Sequence, residues 1–127
     1  SNPEHNVRSN EKERQAMIIA GAVFYQGYVW MRDFGLQMSR ALGDRDGNGV
    51  LNREPEIDLV KIGPESFVVV GSDGLLDSYH ESTRKQAERI ASLVGDGKDA
   101  HDLVADALER KTKDNITAIV WKSVIVI

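Results

Sequence analysis

Apolar positions recur with different periods along this chain. Residues 1–9 are polar and aperiodic. Asn10 and Glu13 then stand at the spacing of a capping box, and the run "EKERQAMIIA" behind them predicts a helix that Gly21 ends. "AVFYQGYVWMR" predicts two short strands joined at Gln26-Gly27, a dipeptide suited to a tight turn. Gly and Asp punctuate "DFGLQMSRALGDRDGNGVLNRE", which predicts loop with short pieces of structure. In "PEIDLVKI" the apolar residues Ile57, Leu59, Val60 and Ile62 alternate imperfectly, as in a strand, and Pro55 marks its start as an edge or first-residue position. After Gly63-Pro64, "SFVVVGSD" carries three consecutive valines, the pattern of a strand buried on both faces. Two helical stripes follow. Ala87, Ile90, Ala91 and Val94 form the first, which Gly95-Asp96-Gly97 breaks. Ala100, Leu103, Val104, Ala107 and Leu108 form the second, with Asp99 as its N-cap. The closing run "DNITAIVWKSVIVI" is strongly β-prone. This order predicts an α+β fold in which the two late strands pair antiparallel and both helices pack on the sheet.

Composition narrows the function classes. At 127 residues and 41% hydrophobic, the chain suits one domain, 1–127, with enough apolar material for a core. Its net charge is -4, and no Lys/Arg cluster interleaves with aromatics, so nucleic acid is a poor partner. The absence of cysteine excludes a disulfide framework and thiolate metal sites. No apolar run approaches the ~20 residues that span a bilayer, and no signal peptide pattern is visible. The expectation is an intracellular, cytoplasmic protein without membrane or nucleic-acid partners.

The valine-rich strand runs straight into Asp73, Gly74 and Asp77. Burying carboxylates is costly unless something pairs with them. Asp114 opens the closing β-prone run. If the two strands are antiparallel neighbours, Asp73 and Asp114 meet at one rim of the sheet. Like charges there repel unless a cation lies between them. Mg²⁺ and Mn²⁺ accept a few carboxylates and fill the remaining positions with water. The milder reading stays open: Asp-Gly is a common turn, and Asp before Asn is a good element boundary. A dinucleotide-binding loop is a weaker alternative, because "VVVGSDG" lacks the full glycine spacing.

Four motifs occur in order: "MSRALGD" (Met38 to Asp44), "REPEI" (Arg53 to Ile57), "FVVVGSDGLLD" and "DNIT" (Asp114 to Thr117). Together they resemble the C-terminal half of the type 2C, metal-dependent Ser/Thr protein phosphatases, over nearly the whole chain. The resemblance implies part of an antiparallel β-sandwich flanked by helices, incomplete relative to the family domain. It implies an active site at one end of that sandwich with two or more Mn²⁺ or Mg²⁺ ions. Asp73 corresponds to the metal-binding Asp of the family's Asp-Gly motif, and Asp114 to that of its Asp-Asn motif. Asp77 resembles a ligand of a weaker third metal, with an N-cap or a solvent-facing acid as its alternative. The implied reaction is hydrolysis of a phosphoprotein by metal-activated water. No covalent enzyme intermediate is needed. Arg40 is given a structural role only.

The family's N-terminal half has no counterpart in these residues. Its Asp-Gly-His-Gly motif and phosphate-binding Arg are missing, and His5, His80 and His101 read as plain surface histidines. The expectation is therefore a partial catalytic domain, inactive alone, whose partner is the missing half. The alternative is a non-catalytic module, either pseudophosphatase-like or Ca²⁺-responsive. For the latter, "DRDGNG" matches the first positions of an EF-hand loop at Asp44, Asp46, Asn48 and Gly49. Its twelfth position falls on Pro55, which carries no carboxylate, so the loop reads as a glycine-rich turn.

Overall fold

The computed structural model describes residues 2–76 and 81–124. They form two compact units, Asn2–Leu59 and the chain from Val60 onward.

In Asn2–Leu59, α1 (Glu11–Ile19) starts at Asn10, whose side chain accepts from the Glu13 N–H. The reciprocal half of the capping box is not made. The Asn10 N–H already donates to the Asn6 carbonyl, which frees the Glu13 carboxylate for other partners. Three antiparallel strands follow in sequence order: β1 (Val23–Tyr25), β2 (Tyr28–Met31) and β3 (Phe34–Leu36). The first two join at Gln26-Gly27, with φ of 50° and 81°. Both values are positive, as a type I′ hairpin turn requires. β3 lies inside the stretch expected to be mainly loop. It pairs Trp30 with Gly35, and a side chain at Gly35 would meet the Trp30 ring. α1 packs on β1 and β2, and Val7, Met17, Ala22, Val29 and Leu51 form the core.

The second unit holds β4 (Phe67–Gly71), α2 (Asp73–Leu76), α3 (Thr83–Gly95), α4 (Ala100–Glu109) and β5 (Ala118–Lys122). β4 and β5 pair antiparallel from Phe67↔Lys122 to Gly71↔Ala118, as expected. Leu75, Ile90, Val94, Leu103 and Ala107 make the core, with Phe67, Val69, Ala118 and Val120 packed against it from the sheet. Asp99 caps α4 with a complete reciprocal box to Asp102.

Three expectations need correction. β4 is covered on one face only. On the other, Val68, Val70, Ile119 and Trp121 are 42%, 58%, 59% and 48% exposed, because the described residues of this unit place no second layer on that side. Residues 55–62 form no strand: they find no neighbour to pair with, and Ile57, Leu59 and Val60 are 80–100% exposed. The helical stripes also differ from the sequence pattern. Ala91 and Leu108 face out, while Gln86 and Leu93 turn inward. An inward Gln is costly without partners, and Gln86 has them in the Glu81 carbonyl and Arg110.

Candidate metal centre

The β4–β5 ladder brings the two motif acids to the same end of the sheet. Gly71 pairs with Ala118, so the chain leaving β4 passes beside the chain entering β5. Ser72 fastens the two. Its N–H donates to the Thr117 carbonyl at 3.0 Å, its hydroxyl donates to the Asn115 carbonyl at 3.1 Å, and the same oxygen accepts from the Thr117 N–H at 3.0 Å. The next two residues are Asp73, which opens α2, and Gly74, which is buried. A Cβ on Gly74 would lie 2.2 Å from the Asn115 carbonyl oxygen and 3.3 Å from the Asp114 Cβ. Only a residue without a side chain allows that approach.

The two carboxylates share one local pattern. Asp73 Oδ1 accepts from the Gly74 N–H at 3.0 Å, and Asp114 Oδ1 accepts from the Asn115 N–H at 2.7 Å. Among the described residues, neither Oδ2 has a protein hydrogen-bond partner. Both residues are exposed. Two orienting N–H groups, two open oxygens and access to water suit hard cations that keep most of their water ligands. The donor set and the glycine cradle therefore fit Mn²⁺ or Mg²⁺. Asp77 and His80 lie outside the described residues.

A second cluster was missed from sequence. His5 is not a plain surface histidine. It is half-buried, with Nδ1 3.4 Å from Glu13 Oε1 and Nε2 3.6 Å from Glu56 Oε2. These three residues can each offer a ligand atom within 4.8 Å of the others. Arg40 already neutralises them, however, donating to Glu13 at 2.7 Å and to Glu56 at 3.3 Å. Ser39 also donates to Glu13. The Arg40 hydrogen bond is the main cause that holds the Glu13 carboxyl down at about 2. The cluster is an ion-pair knot that ties the N-terminal segment and α1 to residues 39–56. Arg40 has the structural role expected of it. No sequence signal joins residues so far apart, although Arg40 does lie inside the "SRALGD" motif.

The EF-hand-like loop is occupied in the same sense. Arg53 donates to the Ala41 and Asp44 carbonyls and to Asn48 Oδ1. A guanidinium thus takes one candidate Ca²⁺ ligand, Asn48 Oδ1, and residues 45–47 close into a 3₁₀ turn. His101 is exposed on α4. No helix among the described residues is long and apolar enough to cross a membrane.

Comparisons with known proteins agree with the motifs. A family model described as protein phosphatase 2C matches residues 4–116. The chain is 31% identical to Probable protein phosphatase 2C 22 of Arabidopsis thaliana, over 92% of this chain and 32% of that protein. It is 37% identical to Probable protein phosphatase 2C 17 of the same plant, over 67% of this chain and 30% of that protein. It is 30% identical to human Protein phosphatase 1E, over 93% of this chain and 16% of that protein. The chain thus spans at most about a third of the length of these curated relatives. No solved structure matches it significantly. With the family model matched over residues 4–116 and relatives of at least 30% identity, the chain belongs to the protein phosphatase 2C family.

Proposed function

We propose that this chain supplies one rim of the metal centre of a metal-dependent protein Ser/Thr phosphatase, and is the C-terminal portion of a single catalytic domain. Asp73 and Asp114 would hold Mn²⁺ or Mg²⁺, and Asp77 would add a ligand for a further ion. The observation that carries this reading is the seating of Gly74 against Asp114 and Asn115, which joins the two acid-bearing turns. When bound, such ions acidify water and neutralise charge on a phosphoryl group during in-line attack. The protein's own part is geometric. The Gly74 and Asn115 N–H groups each hold one oxygen of their carboxylate, which aims the other. Ser72 keeps the two turns in register. Exposure leaves room for water and for a phosphoserine or phosphothreonine side chain.

The substrate is a phosphoprotein, and the remaining ligands and phosphate-binding groups come from the family's N-terminal half. The binding-module alternative gains no support: the loop's twelfth position is Pro55, which carries no carboxylate, and Arg53 already holds Asn48 Oδ1. The test is a phosphopeptide assay of the full-length protein with Mn²⁺. Asp73→Asn and Asp114→Asn each remove charge but not volume, so activity should fall by orders of magnitude while the circular dichroism spectrum stays unchanged. Full activity in both variants would end the phosphatase assignment.

A further inference from the structure

The helix that carries Asp73, described over Asp73–Leu76, is braced from outside. The support comes from α3 and α4. Arg110, the residue that closes α4, donates its NH2 group to the Leu75 carbonyl at 3.3 Å. Its NH1 group donates to Gln86 Oε1 at 3.3 Å, and its Nε donates to Asp106 Oδ2 at 3.0 Å. Gln86, only 1% exposed, donates in turn to the Glu81 carbonyl at 3.2 Å. Arg89 donates to both carboxylate oxygens of Asp106. The chain is therefore gripped at Leu75 and again at Glu81, once on each side of residues 77–80, by two side chains bonded to each other. This explains why a glutamine occupies the core face of α3.

We propose that Arg110 and Gln86 are positioning residues for the metal centre: they hold α2 from behind, so that Asp73 stands opposite Asp114 before any ion arrives. The proposal rests on the phosphatase reading above. Neither residue touches metal or substrate. Their effect is preorganisation of a ligand, for which loss of an outer partner typically weakens metal binding by about 10–100-fold. A brace that served stability alone would lower the melting temperature and leave metal affinity untouched.

The experiment uses the full-length protein and titrates it with Mn²⁺, following free Mn²⁺ by electron paramagnetic resonance. Thermal melts and turnover at saturating Mn²⁺ are measured beside it. Arg110→Met keeps most of the apolar stem and removes every donor. It should weaken Mn²⁺ binding by about tenfold, with turnover recovering as Mn²⁺ is raised. Gln86→Met should shift affinity in the same direction, and decides the matter if Arg110→Met does not fold. Unchanged Mn²⁺ affinity in the folded variants, with only a lower melting temperature, would overturn the positioning role. Asp73→Asn is the control. If it weakens Mn²⁺ binding while Arg110→Met and Gln86→Met do not, only the positioning role fails. If Asp73→Asn also binds Mn²⁺ normally, the metal centre itself is wrong and this inference falls with it.

Discussion

Gly74 shows how one absent side chain decides the site. In a helical turn, alanine is ordinarily favoured over glycine by about 1 kcal/mol. At Gly74 the added Cβ would meet the Asn115 backbone oxygen at 2.2 Å, and a backbone atom does not yield cheaply. Overpacking of this kind costs about 1–3 kcal/mol, so the clash outweighs the propensity. Gly74→Ala should therefore lower the melting temperature and weaken Mn²⁺ binding together; a rise in both would show that Gly74 is an ordinary turn residue. Glu13 supports a second prediction, in pH. Its carboxyl is lowered from 4.5 to about 2, first by the hydrogen bond from Arg40. A lowered carboxyl contributes stability that is full above the unfolded value and is lost as pH falls through the folded one. Urea unfolding midpoints should thus drop between about pH 4.5 and 2, and Glu13→Gln should flatten that slope. Equal slopes in both proteins would mean that the knot does not hold Glu13 in solution.

At the scale of elements, the legible parts were those written by local chemistry. Asn10, Asp99 and Gln26-Gly27 act through neighbours in sequence, and each sits in the structure as its residue type requires. The antiparallel pairing of β4 with β5, and the meeting of the Asp73 and Asp114 turns, followed from element order. What the sequence could not convey depended on distant partners. Gln86 looks like a solvent residue until Arg110 and Glu81 are placed beside it. His5 looks incidental until Glu13 and Glu56 converge on it. The valines of β4 looked buried on both faces because three in a row carry no alternation, whereas α3 and α4 cover one face only. That difference is measurable. If the rest of a catalytic domain lies over Val70 and Ile119, Ile119→Lys places a charge in a covered interface of the full-length protein. Exposed substitutions usually change stability by less than about 0.5 kcal/mol, whereas burying an unpaired charge gives the large losses. A full-length melting temperature unmoved by Ile119→Lys would show that the face remains open to water.

At the scale of the whole molecule, the question is how much of a phosphatase these residues make. The family match covers residues 4–116, yet the chain spans at most about a third of its curated relatives. Among the described residues, the motif acids are Asp73 and Asp114. Two carboxylates cannot fix two cations, and an ion held mostly by water is a poor template for in-line attack. Arginines are not lacking, but three of them are engaged: Arg40 by Glu13 and Glu56, Arg53 by the 41–48 loop, and Arg110 by α2 and Gln86. None of these is open to take a phosphate. We expect the 127-residue chain to bind Mn²⁺ weakly and to turn over no phosphoserine peptide at a useful rate, while the full-length protein is active. Both would be assayed with the same phosphopeptide across a range of Mn²⁺ concentrations. Robust turnover by the short chain, abolished by Asp73→Asn, would mean that these residues hold a complete centre and that the two-half reading is mistaken. Inactivity of both proteins, with Mn²⁺ binding intact in the full-length one, would favour a metal-binding module that has lost its chemistry.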